Sequence, residues 1–78
     1  MREDSILVCK SIRMDGTQFS LALESLFWGE VDKIAKRRFL SRVACVCSYL
    51  RAKPEGVGRA SWVRQCVVTS LVSEMSSE

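Results

Sequence analysis

Residues 17–38, TQFSLALESLFWGEVDKIAKRR, decide the fold, because the spacing of their apolar side chains changes from two residues to about 3.6. Phe19, Leu21 and Leu23 alternate with polar or small residues, which predicts one half-buried strand. From residue 26 onward the apolar side chains follow the stripe of an amphipathic helix. The stripe consists of Leu26, Phe27, Val31, Ile34 and Ala35. A strand is therefore expected to run directly into a helix over residues 25–38.

A second strand is predicted upstream, over residues 6–14. Asp15-Gly16 readily adopts the positive φ angles of a type I′ turn, so we expect a hairpin that pairs residues 10–14 with residues 17–21. In that register Ile12 faces Phe19 on an apolar face. The opposite, polar face carries Ser11, Arg13, Gln18 and Ser20.

Two further helices are predicted. Ser41 is the expected N-cap of a helix over residues 42–52. The composition of residues 53–58 predicts a loop. Residues 59–75 have helical spacing, although the β-branched centre of this segment leaves a strand as the alternative. The helix over residues 42–52 would bury Val43, Val46, Cys47 and Leu50. The fold class is thus α+β and mainly α, a single domain over 1–78 with loose ends at 1–5 and 76–78.

The size of the chain favours association. Its 78 residues make one small domain, and a chain of this length buries only about 60% of its unfolded surface when it folds alone. Because 47% of the residues are hydrophobic, we expect the chain to oligomerise and to bury apolar surface between its subunits. No apolar segment approaches the roughly 18–20 residues that cross a bilayer. A soluble protein without a membrane partner is therefore expected.

The four cysteines, Cys9, Cys45, Cys47 and Cys66, are interpreted as reduced residues that fill the core. The first residues show no signal-peptide pattern. The chain has no histidine, and Cys45 and Cys47 are separated by about 200° around a helix, so they cannot chelate one ion together. These features predict a cytoplasmic protein with no metal site and no other cofactor.

Charge is distributed unevenly along the chain. The net charge is +3 overall, and it is −3 for residues 1–32, +8 for residues 33–64 and −2 for residues 65–78. Concentrated positive charge favours a polyanion, most commonly DNA or RNA phosphate. A solvated basic surface is the alternative interpretation.

Catalysis is not expected. The sequence has no P-loop, no dinucleotide fingerprint and no histidine, and its cysteines lack a neighbouring base that would activate a thiol. Glu24, Glu30 and Asp32 are spaced along a helix surface rather than paired in an apolar setting. The protein is therefore expected to bind rather than to catalyse.

Three groups of residues carry a resemblance to a known family. They are Phe19-Ser20-Leu21-Ala22-Leu23-Glu24, Phe27-Trp28 and Val31-Asp32-Lys33-Ile34-Ala35. Together they resemble the ribbon-helix-helix family, and most closely a bacterial branch that shares a TSxSLExxFWxxLxxIA core. In that branch a second helix opens with Leu-Ser, here Leu40-Ser41. A final helix opens with a run rich in small residues, here residues 59–67, RASWVRQCV.

The resemblance implies an intertwined homodimer, in which strands from two chains pair antiparallel into one ribbon. Outward strand residues then enter the major groove of double-stranded DNA, and the N-terminus of a following helix holds a phosphate. Carried over to this chain, the base-reading residues are Gln18, Ser20 and Ala22. The phosphate-binding residues are Ser41 with Arg42 or, if the last helix takes the second helix's place, Ala60 and Ser61 with Arg59.

The residue chemistry adds further candidates. Glutamine can bond adenine through two hydrogen bonds, and Arg13 joins the base-reading set if the hairpin brings it beside Gln18. The best phosphate-binding cluster is Lys36-Arg37-Arg38 with Arg42, although cations also suit a solvated helix end. Residues assigned to the core or to dimer contacts are Phe19, Leu21, Leu23, Phe27, Trp28, Val31 and Ile34.

Two positions depart from the family pattern. Many members have glycine where this chain has Phe39, and a left-handed helix cap normally needs glycine. Ala22 can contact only a thymine methyl group.

The leading hypothesis is a small homodimeric DNA-binding protein, a transcriptional regulator that reads the major groove with a two-stranded ribbon. The alternative is a protein-interaction module, such as an antitoxin-like protein or a small inhibitor, that reuses the same fold. Geometry bears on the choice, because a dimer of two full hairpins would form a sheet about 14 Å wide and a major groove is about 12 Å wide. Either residues 6–14 separate from the sheet and extend as an arm, or the surface of the sheet binds a partner other than the major groove.

Overall fold

The computed structural model describes residues 6–76, and its side chains as far as residue 73. Along the chain, β1 (Leu7–Met14) and β2 (Thr17–Glu24) precede three helices, α1 (Ser25–Arg37), α2 (Arg42–Arg51) and α3 (Arg59–Ser76). A hairpin followed by three helices confirms the predicted α+β fold, and the last element is a helix rather than a strand. Residues 1–5, 77 and 78, where loose ends were expected, lie outside the described residues, and α3 includes Ser76.

The hairpin has the predicted register. Ser11 lies opposite Ser20 and Arg13 opposite Gln18, and the pairing extends over eight residue pairs, three beyond the five that were predicted. Because successive side chains of a strand point to opposite faces, this register determines which residues face the helices. The inner face carries three buried side chains, Ile12, Leu21 and Leu23.

Asp15 and Gly16 form the two-residue turn of the hairpin. Their φ angles are 53° and 81°, and a type I′ turn needs positive values at both positions. Aspartate tolerates this conformation and glycine adopts it freely. The local sequence is therefore sufficient to close β1 onto β2.

Helix α1 is anchored to β1 by Trp28. The indole is buried, and its Nε1–H donates a hydrogen bond of 2.8 Å to the carbonyl oxygen of Val8. Val31, Ile34 and Ala35 continue the buried stripe of the helix, as its period predicts. The assignment of Leu26 to this stripe is wrong, because Leu26 is 51% exposed and Trp28 occupies the buried side of the first turn. The start of α1 is therefore fixed against the open end of the hairpin.

Helix α1 ends at a left-handed residue that is not glycine. Phe39 has a φ of 58°, the Leu40 N–H donates to the Ala35 carbonyl at 2.8 Å and the Phe39 N–H donates to the Lys36 carbonyl at 3.2 Å. These are the two hydrogen bonds of a Schellman motif. The side chain of Phe39 is 95% exposed, so no packing offsets the strain. The helix end forms without its usual glycine.

Helix α2 begins at the predicted N-cap. The Ser41 hydroxyl accepts a hydrogen bond of 3.1 Å from the Ala44 N–H. The buried face of the helix includes Cys45 and excludes Val43, which is exposed. The prediction that Val43 is buried is therefore wrong, because the face that meets the hairpin and α3 is rotated toward residue 45.

Helices α2 and α3 lie under the two strands of the hairpin. Along α2, the Cys47 thiol lies 3.6 Å from the Arg13 carbonyl and Arg51 lies 3.4 Å from the Asp15 carboxylate, so the helix follows β1 toward the turn. Along α3, Arg59 stacks on Phe19 and Arg64 pairs with Glu24, so the helix returns along β2. The core lies between the hairpin and these helices.

The cysteines are free thiols in different surroundings. Cys45 and Cys47 are buried and Cys66 is half-buried, which agrees with a packing role. Cys9 is exposed, and its prediction as a core residue is wrong because its odd position in β1 places it on the outer face of the hairpin. Within residues 6–76, no helix is both long and apolar enough to cross a membrane.

Replacing Phe39 by glycine is expected to stabilise the protein by about 0.5–1 kcal/mol. A left-handed conformation costs residues other than glycine about 1–2 kcal/mol, and the substitution removes this cost. Part of the gain in stability is lost because glycine makes the unfolded chain more flexible. Urea unfolding measures the change. Phe39→Ala is the matched control, since it removes the ring but keeps the Cβ. A glycine variant no more stable than the alanine variant would contradict strain at this position.

Candidate nucleic-acid interface

The outer face of the hairpin presents four exposed polar side chains. They form two directly opposed pairs, Ser11 with Ser20 and Arg13 with Gln18. The Gln18 amide nitrogen also donates a hydrogen bond of 2.6 Å to the Ser11 hydroxyl across the strands. The structure therefore brings Arg13 beside Gln18, the arrangement on which its assignment as a base reader depends.

These side chains offer donors and acceptors suited to base edges. An arginine can bond guanine and a glutamine can bond adenine, each through two hydrogen bonds, and serine bonds several base edges. Ala22 is half-buried on the same face, opposite Cys9 and farther from the turn. The four polar residues are called the outer quartet below.

The separation of charge along the sequence does not persist in the fold. Each acidic residue in residues 6–32 pairs with a basic residue from the segment 33–64. Four ion pairs therefore make the basic surface weaker than the distribution of charge along the sequence suggested. The pairs are Lys33–Glu30 at 3.5 Å, Arg42–Asp32 at 2.6 Å, Arg51–Asp15 at 3.4 Å and Arg64–Glu24 at 2.8 Å.

Arg42, a predicted phosphate ligand, is occupied within the chain. Its guanidinium makes two hydrogen bonds to the Asp32 carboxylate, at 2.6 Å and 2.8 Å, and lies 6.0 Å from the centre of the Trp28 ring. The hydrogen bonds lower the pKa of Asp32. At the same helix end, the Ser41 hydroxyl caps α2. A phosphate at this position would have to compete with Asp32.

Three predicted phosphate ligands, Lys36, Arg37 and Arg38, are exposed at the C-terminal end of α1. A helix of 13 residues is about 20 Å long, and α1 joins the hairpin at its other end. This cluster is therefore far along the helix from the junction of β2 and α1.

A second basic group lies beside the turn of the hairpin. Arg59, the first residue of α3, stacks its guanidinium 4.1 Å from the centre of the Phe19 ring. Arg51 approaches Asp15 from the end of α2. Ser61 is exposed near the start of α3, and its hydroxyl accepts a hydrogen bond of 3.3 Å from Gln65. Sequence analysis missed Arg51, because its position beside the turn depends on the direction of α2.

A family comparison bears on this arrangement. The model of the family described as "Ribbon-helix-helix domain" matches residues 7–71. The chain belongs to the ribbon-helix-helix family. Members are typically DNA-binding transcription regulators or antitoxins. The outer quartet thus lies on the N-terminal hairpin of a ribbon-helix-helix chain.

A solved structure has a similar fold. An uncharacterized protein from Bordetella pertussis Tohama I superposes with a TM-score of 0.78 and 22% sequence identity. The match covers 94% of the present chain and 62% of that chain, so this ribbon-helix-helix chain spans less than two thirds of its neighbour. At this identity the likeness concerns the fold alone. No curated protein matches the chain.

The residues predicted for the core or the dimer lie in or against the core of this ribbon-helix-helix chain. Five are buried, and Phe19 and Phe27 are half-buried with an arginine over each ring. Among residues 6–73, whose side chains the structure describes, there is no group of three or more histidine, cysteine, aspartate or glutamate side chains that could hold a metal ion. The five buried residues are Leu21, Leu23, Trp28, Val31 and Ile34.

Asp32 and Arg42 are expected to couple by about 0.5 kcal/mol near pH 7, since both side chains are partly exposed and solvent weakens the pair. The pKa of Asp32 is lowered on folding, so the coupling is present above its ordinary value of 3.8 and is lost as the pH falls below it. A double-mutant cycle with Asp32→Asn and Arg42→Gln, followed by urea unfolding from pH 7 to pH 2.5, measures it. A coupling that persists in acid would contradict this assignment.

Proposed function

We propose that this protein is a homodimeric, sequence-specific binder of double-stranded DNA that acts as a transcription regulator. The observation that carries the proposal is the outer quartet, a set of exposed polar side chains of types that can bond base edges, on a hairpin whose other face is buried. Membership of a family of DNA-binding domains supports it. In this proposal Gln18, Ser20 and Arg13 read base edges, and Ala22 contacts at most a thymine methyl group.

Arginine and serine residues at the starts of two helices would bind phosphates of the DNA backbone. Arg59 and Ser61 lie at the start of α3, close to the hairpin, and Ser41 and Arg42 lie at the start of α2. Backbone N–H groups at a helix start favour phosphate. The cluster of Lys36, Arg37 and Arg38 adds long-range attraction wherever it meets the DNA.

Homodimer formation is supported by exposed apolar side chains. The described surface includes Leu26, Val68 and Val72 at about half exposure. Val68 and Val72 lie four residues apart, so they occupy one face of α3. Adjacent exposed apolar side chains on one helix face commonly mark an interaction site, so this face of α3 is the proposed dimer contact.

Phe39 favours a second candidate function, a protein-interaction module. The residue is strained and almost fully exposed, and it gains nothing within the chain from being aromatic. Strain of this kind can mark a functional position, and an aromatic side chain is a common interface anchor. Under this alternative the Phe39→Gly variant would lose a protein partner while gaining stability.

Selection of duplexes from a random library at near-physiological salt is expected to enrich a defined sequence. Gln18→Ala should change the preferred bases, because it removes a base contact. Lys36→Gln is the matched control, since loss of one positive charge outside the hairpin should weaken binding to all sequences alike and leave the preferred bases unchanged. A folded protein that enriches no sequence would overturn DNA reading and favour the interaction module.

A further inference from the structure

The outer face of the hairpin contains a hydrogen bond between side chains of different strands. The Gln18 amide nitrogen donates to the Ser11 hydroxyl at 2.6 Å. The register places Gln18 directly opposite Arg13, so Ser11 lies diagonally across from Gln18, two residues farther from the turn. An exposed glutamine is ordinarily free to change rotamer and loses that freedom when it is ordered. The contact with Ser11 therefore restrains a side chain that is proposed to read a base.

We propose that Ser11 is a positioning residue that sets the base preference of Gln18. Ser11 acts through the Gln18 amide and makes no base contact of its own, and the preference that results is for adenine over guanine. The inference rests on the DNA-binding function proposed above, and it names the residue of β1 that makes reading by β2 specific.

The contact requires only the strand pairing that one chain supplies. Ser11 lies on β1 and Gln18 on β2, and β1 covers one edge of β2 over eight residue pairs. The other edge of β2 takes no part in the contact, so the restraint is the same whether that edge is free or pairs with a second chain. An intertwined homodimer would carry the contact twice, once in each chain.

The backbone beneath both side chains is held by the burial of their neighbours in sequence. Ile12, next to Ser11, has 0% exposure, and Phe19, next to Gln18, packs against the core and carries Arg59 over its ring. Alternation along a strand then directs Ser11 and Gln18 outward. Diagonal positions on one face of an antiparallel pair are within reach of long side chains. Gln18 can therefore bond Ser11 while both strands stay paired.

The hydrogen bond to Ser11 uses one of the two N–H groups of the Gln18 amide. The other N–H and the amide oxygen remain for DNA. In the major groove adenine presents an acceptor, N7, and a donor, the N6 amino group, which match one N–H and one oxygen. The restrained amide is thus complementary to adenine through two hydrogen bonds.

Guanine has a different pattern on the same edge, with two acceptors, N7 and O6. A free glutamine amide can turn its nitrogen toward both of them. The amide that is bonded to Ser11 has one N–H left and would place its oxygen against O6. Two acceptors in contact leave both without a partner, which costs free energy where water is excluded. The contact with Ser11 therefore disfavours guanine more than adenine.

The size of the effect follows from the strength of an exposed hydrogen bond. A bond between neutral groups favours the bonded position of a side chain by roughly 2–10-fold, and a side chain restrained in advance loses less conformational freedom on binding. Removal of the Ser11 hydroxyl is therefore expected to reduce the preference for adenine over guanine by about three- to tenfold.

Ser11→Thr and Ser11→Val form the matched pair that tests this role. The two new side chains have nearly the same shape and both suit a strand, but only threonine keeps the hydroxyl. Duplexes are selected from a random library with the wild-type protein, and Gln18→Ala locates the base pair whose identity depends on Gln18. Dissociation constants are then measured for duplexes with adenine or guanine at that position.

The wild-type protein and Ser11→Thr are expected to prefer adenine at the position that depends on Gln18. Ser11→Val is expected to lose about three- to tenfold of this preference and to keep the preferences at other positions of the site. Equal discrimination by Ser11→Thr and Ser11→Val would overturn the inference. A preferred base other than adenine at this position would overturn it as well.

A double-variant cycle separates positioning from direct contact with DNA. If Ser11 acts through Gln18, Ser11→Val leaves the base preference unchanged in the Gln18→Ala background. A change of preference in that background would show that Ser11 touches the DNA itself, and would overturn its assignment as a positioning residue.

The restraint on Gln18 is also measurable without DNA. NMR relaxation of the Gln18 side-chain amide should give a higher order parameter in the wild type and in Ser11→Thr than in Ser11→Val. Equal values would overturn the inference and leave DNA reading intact. A folded wild-type protein that enriches no sequence would instead overturn the proposed function, and with it any role of Ser11 in reading, even where the order parameters show the restraint.

Discussion

The two-residue period of β1 and β2, with the Asp15-Gly16 turn between them, is the constraint on which the structure depends. The turn pairs Ile12 with Phe19, so that apolar side chains meet on one face and polar ones on the other. Burial of the apolar face under the helices then prevents any change of register, because a shift of one residue would reverse both faces. The position of every outer-face side chain follows from this pairing.

The helices complete the arrangement by placing charged groups around the hairpin. Helix α2 follows β1 toward the turn and α3 returns along β2, so arginines from both helices lie beside the ribbon. The same packing joins acidic residues of the first half of the chain to basic residues of the second half. The surface charge is therefore set by tertiary structure as much as by composition.

Local features of the fold could be predicted from the sequence. The turn residues, the alternation in β2, the helical stripe of α1 and the Ser41 cap each depend on neighbouring residues, and the structure contains all of them apart from Leu26, which lies outside the buried stripe. The chain also forms the Schellman turn at Phe39, although glycine is absent. Local hydrogen bonding thus outweighed the steric preference at that position.

Features that depend on long-range packing could not be predicted. The pairing of Arg42 with Asp32 and the stacking of Arg59 on Phe19 require the angles between helices, which no spacing encodes. The same reason explains the errors at Val43 and Cys9, whose types favour burial but whose positions face outward. The roles of individual residues toward DNA remain proposals that rest on this geometry.

Amide hydrogen exchange of β2, measured with and without a selected duplex, tests the central claim most directly. If the outer face of the hairpin reads DNA, the amides of Thr17–Glu24 should exchange more slowly in the complex than in the free protein. Unchanged exchange along β2, with new protection confined to the helices, would contradict the account, because it would show that the DNA lies against another surface.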